Sequence, residues 1–169
     1  CLKGLVIYNQ RVHPIICTRT VQKRVTQMSK EEVIIRIEED QLDPNFLRSL
    51  LNIEGCGSVV SFVGLTRGDD NGIKVKRLEF DAWENKLNHI LSDIAKTSID
   101  KFSVKSVLVA HRIGIVEPSE PIVCIHVGSK HREAGFEACS WLINQLKLQA
   151  PLWKKEVRSD GEIWKQGLG

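Results

Sequence analysis

The chain has 169 residues, 42% of them hydrophobic and 27% charged, which suits one globular domain with a real core and excludes a weakly hydrophobic, disordered polymer. No apolar run approaches the roughly 18 residues of a membrane helix. The net charge of +3 is uneven: residues 1–30 hold six basic side chains and no acidic one, so the remainder is about −3, the wrong sign for a nucleic-acid-binding body.

In chain order, Cys1 comes first and the sole methionine is Met28. The acid-free stretch 1–30 reads as an extension outside the core, as a transit segment or as translated upstream sequence with Met28 as the natural start. A single domain is expected over 31–169. VIIRI (33–37) predicts a short strand. Asp43-Pro44 supplies an N-cap and a proline at the first helical position, opening a helix through Leu51. GSVVSFVGL (57–65) predicts a buried strand and TRGDDNG (66–72) a turn-rich loop. KVKRLEFDAW (74–83) alternates as a half-exposed strand should, and Leu87, Ile90, Leu91, Ile94 and Ala95 mark a helix over 84–101. VKSVLVAHRIG (104–114) and PIVCIHVGS (121–129) predict two more strands. A last helix, about 130–149, would bury Gly135, Ala138, Cys139, Leu142, Ile143 and Leu146, with Pro151 stopping it. The order β-α-β-β-α-β-β-α argues an α+β fold with a mixed or largely antiparallel sheet.

No common nucleotide-binding, serine-hydrolase or zinc-protease motif is present. The five cysteines, Cys1, Cys17, Cys56, Cys124 and Cys139, form no C-x-x-C pair. They read as small core residues of a protein in a reducing compartment. What remains is a set of basic residues in unusual places. With Ser129 as N-cap, Lys130, His131 and Arg132 would crowd the positive end of a helix dipole, where a cation costs about 0.3–1 kcal/mol. Solvent screening explains this as well as an anion site does. Lys147 in the last turn suits the dipole, yet it follows Ile143 at helical spacing and borders the apolar face; half-buried there, desolvation would make its amine a usable base or nucleophile. Lys154 and Lys155 follow the proline break, next to Trp153, and Arg67 leaves a buried strand for a loop, a frequent position for binding residues. His111-Arg112 reads as structural.

Three stretches carry a resemblance. HRIGIVEPSEPIVCIHVGSKHREAGFEACSWLINQLKLQAPLWKKE (111–156) resembles the catalytic large subunit of molybdopterin synthase, with its H-R-[IVL]-G, S-x-H-R-x-x-[AS]-F-E-A and L-K-x-x-x-P-[IFL]-W-K-[KR]-E motifs in order. SFVGLTRGDDNGIKVKRLEFDAW (61–83) extends the likeness, which spans about 33–164. The resemblance implies an α/β hammerhead-type fold and a homodimer of large subunits, each binding one small ubiquitin-like subunit to give a heterotetramer. It also implies a cytosolic sulfurtransferase with no metal or organic cofactor of its own. Sulfur would pass from the small subunit's C-terminal thiocarboxylate to cyclic pyranopterin monophosphate, forming the dithiolene of molybdopterin in molybdenum cofactor biosynthesis. Carried over, the catalytic residues are Lys147 and Lys154. The substrate-binding set is Leu65, Thr66, Arg67, His131, Arg132, Lys147, Lys154, Lys155 and Glu156, imagined as one anion pocket. A docking module for a Gly-Gly tail, without chemistry, is the alternative of a different class.

Overall fold

Alternate residues of the strand Ser106–Arg112 pack in opposite directions, and two hydrophobic cores grow from that alternation. Val107 and Val109 join one core, Leu108 and Ala110 another, as the two-residue period of a strand requires. The computed structural model describes residues 32–166. The expected extension over 1–30 lies outside them.

A four-stranded sheet contains β1 (Val33–Glu38), β2 (Ser58–Leu65), β5 (Ser106–Arg112) and β7 (Pro121–Ser129) in the order β1-β5-β7-β2. β1 runs parallel to β5, and the other pairs are antiparallel. Helix α1 (Pro44–Leu50) covers one face through Leu47. Helices α2 (Glu84–Phe102) and α3 (Arg132–Gln149) cover the other through Leu87, Leu91, Leu142 and Leu146. The α1 start is as expected: Asp43 Oδ1 accepts from the Asn45 and Phe46 amides at 2.9 and 3.1 Å, with Pro44 behind it. The α+β class with mixed sheets is therefore observed. No helix among the described residues is long and apolar enough to cross a membrane.

A second, antiparallel sheet was legible only in part. It contains β3 (Asp69–Asp70), β4 (Ile73–Ala82), β8 (Leu152–Arg158) and β9 (Gly161–Gln166), with β6 (Gly114–Val116) also on β4. Residues 104–114, expected as one strand, divide between the two sheets. The chain leaves the first at Arg112 and enters the second at Gly114, whose φ of 75° redirects it. The loop 66–72 contains a tight hairpin in which Asn71 and Gly72 both have positive φ, the conformation a two-residue turn needs to match strand twist. β8 and β9 lie beyond the last element that the sequence pattern predicts.

Helix α3 also starts later than expected. Ser129 continues the β7 ladder opposite Ser58 and donates its hydroxyl to the His131 carbonyl at 3.0 Å. His131 takes the N-cap position without a side-chain bond, and Arg132 opens the helix. Sheet pairing claimed the serine before the helix could.

Leu142→Ala should lower unfolding free energy by about 2–5 kcal/mol, because Leu142 is buried in the main core. Leu148→Ala, at an exposed position of the same helix, should stay within about 0.5 kcal/mol. Urea unfolding of both variants checks the contrast.

Candidate active site

Both sheets and the C-terminal end of α3 enclose a cavity of about 550 Å³. Leu65, Thr66 and Arg67 reach it from the end of β2, Lys147 from α3, and Lys154 and Glu156 from β8. The β2–β7 ladder slips between Gly64 and Leu65, and the chain then turns under firm control. The Thr66 amide donates to the Glu120 carbonyl at 3.0 Å, and the Thr66 carbonyl accepts from the Ser119 amide at 2.8 Å. Thr66 is buried, with no partner for its hydroxyl among the described residues. Arg67 follows, exposed at the cavity mouth.

Lys147 lies one helical turn beyond Ile143, which also lines the cavity. It is exposed rather than half-buried. Neither Lys147 nor Arg67 is ion-paired with a carboxylate among the described residues.

Strand alternation sorts the residues after Pro151. Lys154 and Glu156 face the cavity, and their charged groups lie 3.5 Å apart. Lys155 points to the other side of the sheet, 2.7 Å from Glu79 and 3.3 Å from Glu162, with its ammonium over the Trp164 ring. Lys155, expected to bind substrate, is therefore absent from the cavity wall.

His131 and Arg132 are also elsewhere. With Lys130 they border a separate depression beside Gly57 and Ser58. At 1.5 Å rise per residue, the helix separates Arg132 from Lys147 by roughly 22 Å. One small molecule cannot touch both ends within a single chain, so the single pocket that the resemblance implied is divided.

His111 is an unanticipated neighbour of the cavity. Its Nδ1–H donates to the Arg112 carbonyl at 2.7 Å, leaving Nε2 bare, buried and unpartnered among the described residues. Burial pushes its pKa down from the ordinary 6.5 to about 4, against the smaller upward effect of that hydrogen bond. Arg112 is structural, as expected: its guanidinium bonds Glu120 at 2.8 Å and so steadies the turn that clamps Thr66.

Residues 37–149 match the family model described as "MoaE protein". The chain belongs to the MoaE family. It is 36% identical over 152 residues to the molybdopterin synthase catalytic subunit of Homo sapiens, covering 88% of this chain and 78% of that one. The corresponding subunit of Pyrococcus abyssi is 31% identical over 140 residues, covering 83% and 95%. Among solved structures, molybdopterin synthase from Staphylococcus aureus matches with a TM-score of 0.72 at 29% identity, over 80% of this chain and 96% of that one.

Three titratable cavity residues of this MoaE-family chain escaped sequence reasoning, Asp69, Asp70 and His111. Lys165, in contact with the cavity residues Asp70 and Glu156 from the neighbouring strand, escaped it too. The signal for Lys165 was available in WKKEVRSDGEIWK: two alternating runs around a Ser-Asp-Gly turn, the pattern of a hairpin. Asp70 and His111 had no comparable local signal. Among the described residues no cluster of three His, Cys, Asp or Glu side chains is placed to hold a metal ion.

The buried His111 makes a pH-dependent contribution of defined sign. An unfolded chain protonates this histidine near 6.5, the native protein only near 4, so the unfolded state holds more protons between those values. Stability should therefore rise with pH from about 4 to 6.5, by a total on the order of 3 kcal/mol from this group. In His111→Gln the slope of unfolding free energy against pH should be shallower across that window, measured by denaturant unfolding.

Proposed function

We propose that this chain is the sulfur-transferring subunit of a molybdopterin synthase acting in the cytosol, with its working domain in residues 31–169. The carrying observation is the convergence of Arg67, Lys147 and Lys154, from three separate elements, on one partly apolar cavity. Apolar lining from Phe62, Leu78 and Ile143 suits a flat heterocycle, while the cations suit its cyclic phosphate. The thiocarboxylated tail of the small ubiquitin-like subunit enters the same cavity and delivers sulfur to cyclic pyranopterin monophosphate.

Lys147, without a carboxylate partner among the described residues, stabilises the negative charge that develops on the acyl oxygen when water attacks the acyl carbon and the carbon–sulfur bond breaks, leaving sulfur on the substrate and a carboxylate on the tail. Lys154, held against Glu156, positions the substrate and exchanges protons as the ring opens and sulfur adds. Leu65 and Thr66 shape the approach to Arg67. His131 and Arg132 can join this site only from a second copy, because one helix separates them from Lys147. The homodimer is thus part of the reading, with the α3 start of one subunit facing the cavity of the other.

Lys147→Ala should abolish dithiolene formation while assembly with the small subunit, followed by size-exclusion chromatography, stays intact. Near-normal turnover would sink the assignment, and assembly without turnover in the unmodified chain would favour a docking module. Mixing Lys147→Ala with Arg132→Ala protein should restore part of the activity through heterodimers carrying one complete site. Recovery no greater than the sum of the separate variants would show that the two residues do not share a site across subunits.

A further inference from the structure

The cavity that receives an anionic substrate is lined by as many carboxylates as cations. Asp69, Asp70 and Glu156 stand with Arg67, Lys147 and Lys154, so the wall taken alone is neutral. A neutral wall attracts a phosphate poorly, because each nearby carboxylate offsets the Coulomb attraction of a cation. Something outside the wall must answer the acids if the cations are to serve a ligand.

Lys165 on β9 answers two of them. Its ammonium donates to Asp70 Oδ2 at 3.0 Å and lies 3.0 Å from Glu156 Oε2, the latter an ionic contact rather than an aligned hydrogen bond. Lys165 stands directly opposite Lys154 across the β8–β9 ladder, a like-charge pairing that is unfavourable by itself. Glu156 resolves it, with Oε1 3.5 Å from Lys154 and Oε2 towards Lys165. The other charges around this cluster are already engaged or distant. Arg158 reaches Asp70 only at 3.8 Å and is bound bidentately to Asp160. Arg77, Glu79 and Lys155 pair with one another on the far face of the sheet. Leu78 and Phe80 of β4 add no charge.

We propose that Lys165 is a positioning residue for substrate binding: its one positive charge, shared between Asp70 and Glu156, tips the otherwise neutral wall to a net +1 and leaves more of the charge of Arg67, Lys147 and Lys154 to an anionic ligand. Asp70 sits beside the Asn71-Gly72 turn, so the same contact fastens the β3–β4 hairpin, which follows Arg67, to β9. This rests on the anionic substrate of the sulfur-transfer reading.

Binding of cyclic pyranopterin monophosphate to the full chain, measured by calorimetry without the small subunit, tests it. Lys165→Met should weaken binding roughly tenfold, the scale of one exposed-to-buried charge contact, with the melting temperature monitored to confirm folding. Lys165→Arg should bind nearly as the unmodified chain does. The deciding variant is Asp70→Asn in the Lys165→Met background, which removes an acid that lysine offsets and should recover much of the lost affinity. Unchanged binding in Lys165→Met overturns the proposal. So does a loss that Lys165→Arg repairs but Asp70→Asn does not, which would make Lys165 a mechanical tether. Failure of the unmodified chain to form dithiolene with a thiocarboxylated partner would remove the sulfur-transfer reading alone, since calorimetry still decides the role of Lys165.

Discussion

Glu156 is 6% exposed and carries a charge that folding cannot leave alone. Taking a carboxylate out of water costs several kcal/mol unless cations and donors replace the lost hydration. Here two lysines do so from adjacent strands, Lys154 on β8 and Lys165 on β9. The requirement ties β9 into the sheet, brings Asp70 and its hairpin against β9 through the same Lys165, and fixes where Lys154 stands. Break that carboxylate's surroundings and three parts of the cavity wall lose their common reference point.

The cavity exists because the chain changes sheets. β5 ends at Arg112, Gly114 turns the backbone, and β6 pairs with β4 in the second sheet. β8 then pairs along almost the whole of β4, from Ala82 back to Val75. The space left between the sheets is closed by the last turn of α3, so Lys147 arrives there for a reason separate from dipole preference. A lysine at a helix C-terminus is favoured anyway, but its proximity to Lys154 comes from Pro151 turning the chain into β8. Thr66 and Arg67 are equally products of the crossing, since their loop is clamped by Ser119 and Glu120, which lie between β6 and β7.

Elements governed by local chemistry were legible. Asp43-Pro44 announced α1, the spacing of Leu87, Leu91 and Ile94 announced α2, and alternation announced β4. Legibility failed where a distant partner decided the outcome. Ser129 looked like an N-cap but pairs in a sheet with Ser58; residues 104–114 looked continuous but serve two sheets. Lys155 looked equivalent to Lys154, and only strand pairing turned it towards Glu79 and Glu162. His131 and Arg132 were close to Lys147 in motif order and far from it in space, because an α-helix lengthens with every residue that separates them.

From residue order alone came the family, the α+β class, and the identity of Arg67, Lys147 and Lys154 as the cations of interest, because motifs and periodicities are local properties of a chain. Which of those residues share a cavity depended on folding. Strand pairing assigns side chains to faces, helix length separates Arg132 from Lys147, and Lys165 gains its importance only by standing across a ladder from Lys154 and within reach of Asp70, 95 residues earlier.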